Sequence, residues 1–161
     1  MEECRGAGKR LLVFSQFTGM LTLIRRELGR QGVPFFYLDG ETPARDRVEL
    51  CDRFNDGERD MFLISLKAGG AGLNLTGADT VVLYDLWWNP AVEQQAADRA
   101  HRIGQKNVVQ VIRLVARGTV EEKMYALQQR KKNLVDEVIR PGQEALSSLT
   151  EQEIREILML E

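Results

Sequence analysis

Gln94-Gln95-Ala96-Ala97-Asp98-Arg99-Ala100-His101-Arg102-Ile103-Gly104-Gln105 is the stretch on which the reading of this chain turns. Asn89-Pro90 just before it has the chemistry of a helix start, with Asn as N-cap and Pro at the first helical position, and Gly104 has that of a stop. A helix of that extent sets Arg99 and Arg102 one turn apart on one face, with Gln95 four residues ahead of Arg99 on the same face. Guanidinium groups are planar, permanently charged and matched to phosphate oxygens, so a pair suits a site where negative charge develops on a transferring phosphoryl group. The same spacing also fits a solvated helix carrying an Asp98–Arg102 ion pair. Spacing by itself leaves both readings open.

Outward from that stretch, short apolar runs recur: Leu11-Leu12-Val13-Phe14, Phe35-Phe36-Tyr37-Leu38, Met61-Phe62-Leu63-Ile64, Val81-Val82-Leu83-Tyr84 and Val108-Val109-Gln110-Val111-Ile112. Between the first two, Met20, Leu23, Ile24 and Leu28 recur at helical spacing before Gly32. Thr42-Pro43 opens a second helix with Val48, Cys51 and Phe54 directed inward. Strands separated mostly by helices predict right-handed crossovers and an α/β, doubly wound fold: a largely parallel sheet with helices on both faces. In such sheets functional groups collect in the loops at the carboxyl edge.

Three of those loops stand out. Ser15-Gln16-Phe17 follows the first strand, and Asp39-Gly40-Glu41-Thr42-Pro43-Ala44-Arg45-Asp46-Arg47 follows the second. By local chemistry they are a helix start and a capped turn. Ser65-Leu66-Lys67-Ala68-Gly69-Gly70-Ala71-Gly72-Leu73-Asn74-Leu75 follows the third. Its glycines would let backbone N–H groups approach an anion closely, and they would equally serve a tight connection. Chemistry leaves that choice even.

Gln-Ala-Ala-Asp-Arg-Ala-His-Arg-Ile-Gly-Gln resembles motif VI of the SWI/SNF-type DNA translocases, a branch of the superfamily-two helicases. Ser-Leu-Lys-Ala-Gly-Gly-Ala-Gly-Leu-Asn-Leu-Thr matches motif V of the same family nearly residue for residue. The loops after the first two strands are similar to motif IV and the Asp-Gly-x-Thr segment that follows it, and Asp85-Leu86-Trp87-Trp88-Asn89-Pro90 to the family's Asp-x-x-Trp-Asn-Pro. The resemblance implies a RecA-like lobe over residues 10–118. Its Arg99 and Arg102 would reach nucleotide phosphates as catalytic arginine fingers, with Gly72, Asn74 and Gln95 on the nucleotide side. Thr42, Arg47, Lys67 and Gly70 would contact the DNA sugar-phosphate chain. The tryptophan segment is expected to position the arginine helix.

What the sequence lacks bears on mechanism. No Gly-x-x-x-x-Gly-Lys-Ser/Thr occurs, nor a strand followed by an Asp-Glu motif to hold Mg2+. The resemblance therefore implies the carboxyl-terminal half of a two-lobed engine. ATP and Mg2+ would be held mainly by an amino-terminal lobe of the same parent chain, and this chain would be inactive alone. The single histidine, His101, leaves no histidine-based metal or catalytic cluster, so no metal site is expected. Cys4 and Cys51 lack metal-ligand spacing and fit a reducing compartment, Cys51 as a small core residue.

The 161 residues, 43% of them hydrophobic, suit one ordinary domain, and a net charge of −2 disfavours a stand-alone basic nucleic-acid platform. Residues 1–9 read as a linker. Thr119-Val120-Glu121-Glu122 is a capping box that opens a brace helix running to about Ile139, and Leu146 to Glu161 reads as an acidic amphipathic helix, so 119–161 form a helical extension. No apolar run is long enough to span a bilayer.

The expected partners are thus the double-stranded DNA backbone, the amino-terminal lobe and a protein target on DNA, with no membrane. The motif pattern and the Leu-Thr-Glu-Gln-Glu-Ile-Arg-Glu-Ile-Leu ending are similar to bacterial members. That implies a cytoplasmic, nucleoid-associated protein, or a nuclear one in a eukaryote. The competing reading is a free-standing α/β protein-binding module with no catalytic role.

Overall fold

The computed structural model describes residues 4, 6–68, 72–85, 90–101, 105 and 108–137, with backbone alone at 90, 92 and 131–137. Among these residues the elements run β1 (Leu11–Ser15), α1 (Thr18–Arg30), β2 (Phe36–Leu38), α2 (Ala44–Asn55), β3 (Met61–Ser65), β4 (Thr80–Leu83), α3 (Pro90–Ala97), β5 (Gln110–Arg113) and α4 (Val120–Glu137). The strands form one sheet in the order β2-β3-β1-β4-β5, and every neighbouring pair is parallel. Leu11 lies beside Met61 on one side and Thr80 on the other, which makes β1 the centre of the sheet.

Every residue of β1, β3 and β4 is buried, because helices or loops cover both faces and the strands need no polar side. The edge strands differ. β2 is three residues long, and β5 exposes Gln110 and Arg113 at its ends, which blunts both open edges.

Crossover direction decides which face each connection takes. The chain moves one way from β1 to β2 and the opposite way in every later step, so right-handedness requires α1 on one face and the other connections on the second. The core divides accordingly. Leu21, Ile24 and Leu28 of α1 pack on Leu11, Val13, Met61, Leu63 and Val82. The opposite face gathers Cys51 and Phe54 of α2, Leu66, Ala68, Leu73, Leu75 and Ala78 of the β3–β4 connection, and Ala96 and Ala100 on Leu12, Phe14, Phe62 and Ile64. Burial pushes the Cys51 thiol up to about 11, as befits a core residue.

Two residues past the end of α1 stands Gly32, whose φ of +67° lets the Val33 N–H reach the Leu28 carbonyl (2.9 Å) while the Gly32 N–H bonds Gly29 (3.1 Å). Val33 and Leu28 then pack together, completing a Schellman stop.

Several local expectations shift. The inward set of α1 is Leu21, Ile24 and Leu28, leaving Leu23 exposed, because the helix begins at Thr18 and its buried face is set by the sheet beneath. Val48 is 62% exposed, and the half-buried Leu50 packs on the core in its stead. Pro43, not Thr42, precedes α2 as its cap residue. β5 starts at Gln110, and Val108 is 91% exposed. The box before α4 engages one residue early: Glu122 Oε2 accepts from the Gly118 N–H (2.8 Å), and Thr119 Oγ1 from the Glu121 N–H (3.2 Å). Within the segment read as linker, Cys4 is half-buried against the α1 face.

Candidate functional site

β1 and β4 are neighbours whose outgoing connections run to opposite sides of the sheet, so the topological switch point lies at their carboxyl ends. Asp85, just past β4, is 6% exposed there. Its carboxylate accepts from the Ser15 hydroxyl and from the Gln16 N–H (3.0 Å). A buried carboxylate needs such donors, and the pair fixes the first loop against the fourth strand. The Phe17 N–H in turn bonds Ser15 Oγ (3.1 Å), and Phe17 stands 58% exposed beyond them.

The β2–α2 turn is built around Asp39. Its carboxylate accepts from Tyr37 Oη (2.8 Å), the Glu41 N–H (3.0 Å), and the Thr42 N–H and hydroxyl (both 3.2 Å). The Tyr37 hydrogen bond, opposed by some burial and joined by the two amides and the Thr42 hydroxyl, holds this carboxyl below its usual value. Arg47 Nε donates to the Thr42 carbonyl (2.7 Å) and Nη2 to that of Gly40 (3.0 Å). The half-buried Thr42 and Arg47 are therefore engaged inside the turn; Glu41, Pro43, Ala44 and Arg45 form its exposed rim.

The β3–β4 connection must descend from the carboxyl edge, where β3 ends, to the amino edge, where β4 begins. Near its top Lys67 is exposed. Lower down, Asn55 at the end of α2 grips it twice, Nδ2 donating to the Asn74 carbonyl (3.0 Å) and Oδ1 accepting from the Gly77 N–H (2.9 Å). Gly77 is required by contact: a Cβ there would lie 2.8 Å from Arg10 Nη1 and 2.9 Å from the Asn55 Cα.

α3 descends beside this connection, and here the structure corrects the expected helix. It ends at Ala97, not near Gly104, and the chain tightens through bonds from the Arg99 N–H to Ala96 (3.3 Å) and from the Ala100 N–H to Ala97 (3.1 Å). The reason is tertiary. The Leu75 N–H claims the Arg99 carbonyl (3.0 Å), and Gln105 Nε2 claims that of Ala100 (3.0 Å), acceptors that a continuing helix would use. Arg99 is 7% exposed, so it is a buried turn residue. Gln95 and His101 are exposed. Glu93, 2% exposed, is pinned to β5 by Arg113 Nε (3.0 Å).

The candidate residues thus fall into two groups. Thr42, Arg47 and Lys67 follow neighbouring strands at the carboxyl edge, whereas lower on the α2–α3 face Asn74 bonds Asn55 and its neighbour Leu75 bonds Arg99. Gly72, with φ of +67°, is exposed between them along the chain. Gly70, Arg102, Trp87, Trp88, Asn89 and the segment from Leu146 lie outside the described residues. Ser15, Asp85 and Gln105 lie inside the family-like segments but carry no role in the sequence reading, and Asn55 and Glu93 lie outside those segments; the partners of all five are only visible once the chain is folded.

Among the described residues no three of His, Cys, Asp and Glu gather to hold a metal ion, and no helix is long and apolar enough to cross a membrane. What the site offers is backbone carbonyl and amide order around one buried guanidinium.

A parallel α/β lobe with paired loops at its carboxyl edge and a buried arginine turn behind them defines the class of protein. Residues 1–104 match the helicase conserved C-terminal domain, and the chain belongs to that family. It is 40% identical over 147 residues to an uncharacterized ATP-dependent helicase of Mycoplasma pneumoniae, a match covering 91% of this chain. The chain spans 14% of that protein's length and 9% to 17% of further curated relatives. Among solved structures, the C-terminal part of the Fun30 ATPase domain superposes with a TM-score of 0.76 at 31% identity, over 96% of this chain and 47% of that one. The SWI2/SNF2 ATPase core domain of Sulfolobus solfataricus gives 0.73 at 32% identity, over 99% and 33%. The fold is RecA-like, and the lobe is of the SWI2/SNF2 type.

Proposed function

We propose that this lobe, residues 10–118 with the brace helix behind it, is one jaw of a DNA-stimulated ATPase that moves along duplex DNA. An amino-terminal lobe holds ATP and Mg2+. This lobe closes on the nucleotide with Arg99 and Arg102 toward the phosphates, where fixed positive charge stabilises the transition state, and with Gly72, Asn74 and Gln95 along the same wall. Lys67 and Gly70 grip the sugar-phosphate chain, with Thr42 and Arg47 organising the neighbouring turn. Backbone contacts of this kind carry no base sequence. In a bacterium the protein would act at the nucleoid, in a eukaryote in the nucleus.

One observation carries this reading: the connection that begins beside exposed Lys67 ends hydrogen-bonded to the carbonyl of Arg99 (3.0 Å). The test is ATP hydrolysis by the two-lobed parent and by this chain alone, with and without duplex DNA. The parent should be stimulated by DNA and the chain alone silent. Arg102→Ala in the parent should lower turnover at least ~10²-fold, the scale on which arginine fingers act. Turnover near the wild-type level would remove the arginine assignment.

A further inference from the structure

Gln105 closes the arginine stretch, and its side chain reaches backbone carbonyls of two separate segments. Its amide Nε2 lies 2.7 Å from the Ala78 carbonyl, 3.0 Å from that of Ala100 and 3.1 Å from that of Thr76. Two hydrogens facing three acceptors means one is shared, so the amide serves as a three-way fastener. Thr76 and Ala78 belong to the lower end of the β3–β4 connection, and Ala100 to the turn that carries Arg99. Immediately above, the Leu75 N–H bonds the Arg99 carbonyl, and Leu73, Leu75, Ala96 and Ala100 share one buried cluster.

We propose that Gln105 is a positioning residue that makes the end of the β3–β4 connection and the Arg99 turn a single rigid body. A shift at the carboxyl-edge end of that connection is then delivered to Arg99 as movement, not absorbed as slack. The inference rests on the proposed function, since it takes the upper end as the DNA side and Arg99 as the nucleotide side. Gln105 touches neither ligand; it acts through the backbone of its partners.

Gln105→Met keeps the side-chain length and removes both N–H groups. In the intact two-lobed parent, the ratio of turnover at saturating duplex DNA to turnover without DNA should fall at least tenfold, with the Kd for DNA and the KM for ATP each within twofold of wild type. A ratio kept within twofold in the folded variant overturns the role, and so does a parallel loss of DNA affinity and turnover, which would mark a general structural defect. Wild-type protein that DNA does not stimulate would sink the functional reading itself, and this inference with it.

Should the variant fail to fold, wild-type protein decides by amide exchange. Duplex DNA and a non-hydrolysable ATP analogue, added separately, should each change the exchange rate of the Leu75 N–H at least threefold. No response to either one overturns the coupling.

Discussion

Two connections leave the carboxyl edge from adjacent strands, and they are held in opposite ways. The β2–α2 turn satisfies itself: Asp39, Thr42 and Arg47 bond one another's backbone and side chains within nine residues of chain. The β3–β4 connection has one bond of its own at its lower end, from the Ala78 N–H to the Leu75 carbonyl (3.1 Å), and is otherwise held from outside. Its carbonyls and amides are taken by Asn55 from α2, by Arg99, and by Gln105. A self-satisfied turn keeps its shape whatever its surroundings do, whereas a connection held by other elements moves when they move. The first is suited to presenting a fixed surface and the second to transmitting displacement.

The comparison breaks most sharply at Gly77. An added Cβ would meet the Asn55 backbone at 2.9 Å, which cannot yield as a side-chain tip can. Gly77→Ala should cost on the order of 1–3 kcal/mol, the range of overpacking, read from urea denaturation of the chain. The turn at Asp39 should be unaffected, so Tyr37 resonances should hold in the folded fraction. Unchanged stability would mean that the connection is not seated as described.

Asn55→Ala should come next. It strips a donor from the Asn74 carbonyl and an acceptor from the half-buried Gly77 N–H, together about 1–2 kcal/mol. The loss should appear as faster amide exchange at Gly77, with no matching change at Thr42. Equal loosening of both connections would erase the contrast.

The sequence displayed the scaffold better than these fastenings. β1, β3 and β4 were legible because strands buried on both faces are continuous apolar runs, and the Gly32 stop because a left-handed residue after a helix selects glycine. The phase of α1 was not. Leu21 and Leu23 are equally apolar, and the sheet surface chose between them. The Arg99 turn was missed because local chemistry around Gln94 to Gln105 favours helix, while the donors that interrupt it come from Leu75 and the Gln105 amide. Ser15 and Asp85 meet across 70 residues, a pairing that no local pattern announces.

The smallest effect tests whether the turn is self-contained, and it has two sides in pH. The Asp39 carboxyl lies below its ordinary value of 3.8, chiefly through the Tyr37 hydrogen bond, so its contribution is fully present above that value and is lost as pH falls through the folded-state pKa. The Tyr37 hydroxyl lies above its ordinary value of 10.0, first through burial and then through Asp39. Its contribution is therefore present below 10.0 and is lost as pH rises through the folded-state pKa. Both groups are half-buried in a turn at the surface, so the expected signal is local, namely chemical shifts of the Glu41 and Thr42 amides, and not a change in global stability. Those amides should shift at acid pH and again at alkaline pH. Tyr37→Phe should abolish the alkaline step and move the acid step upward; Asp39→Asn should abolish the acid step. If the Gly77 amide titrated in step with Thr42, the two connections would be coupled at the carboxyl edge, and Asp39 would belong to the moving part of the lobe.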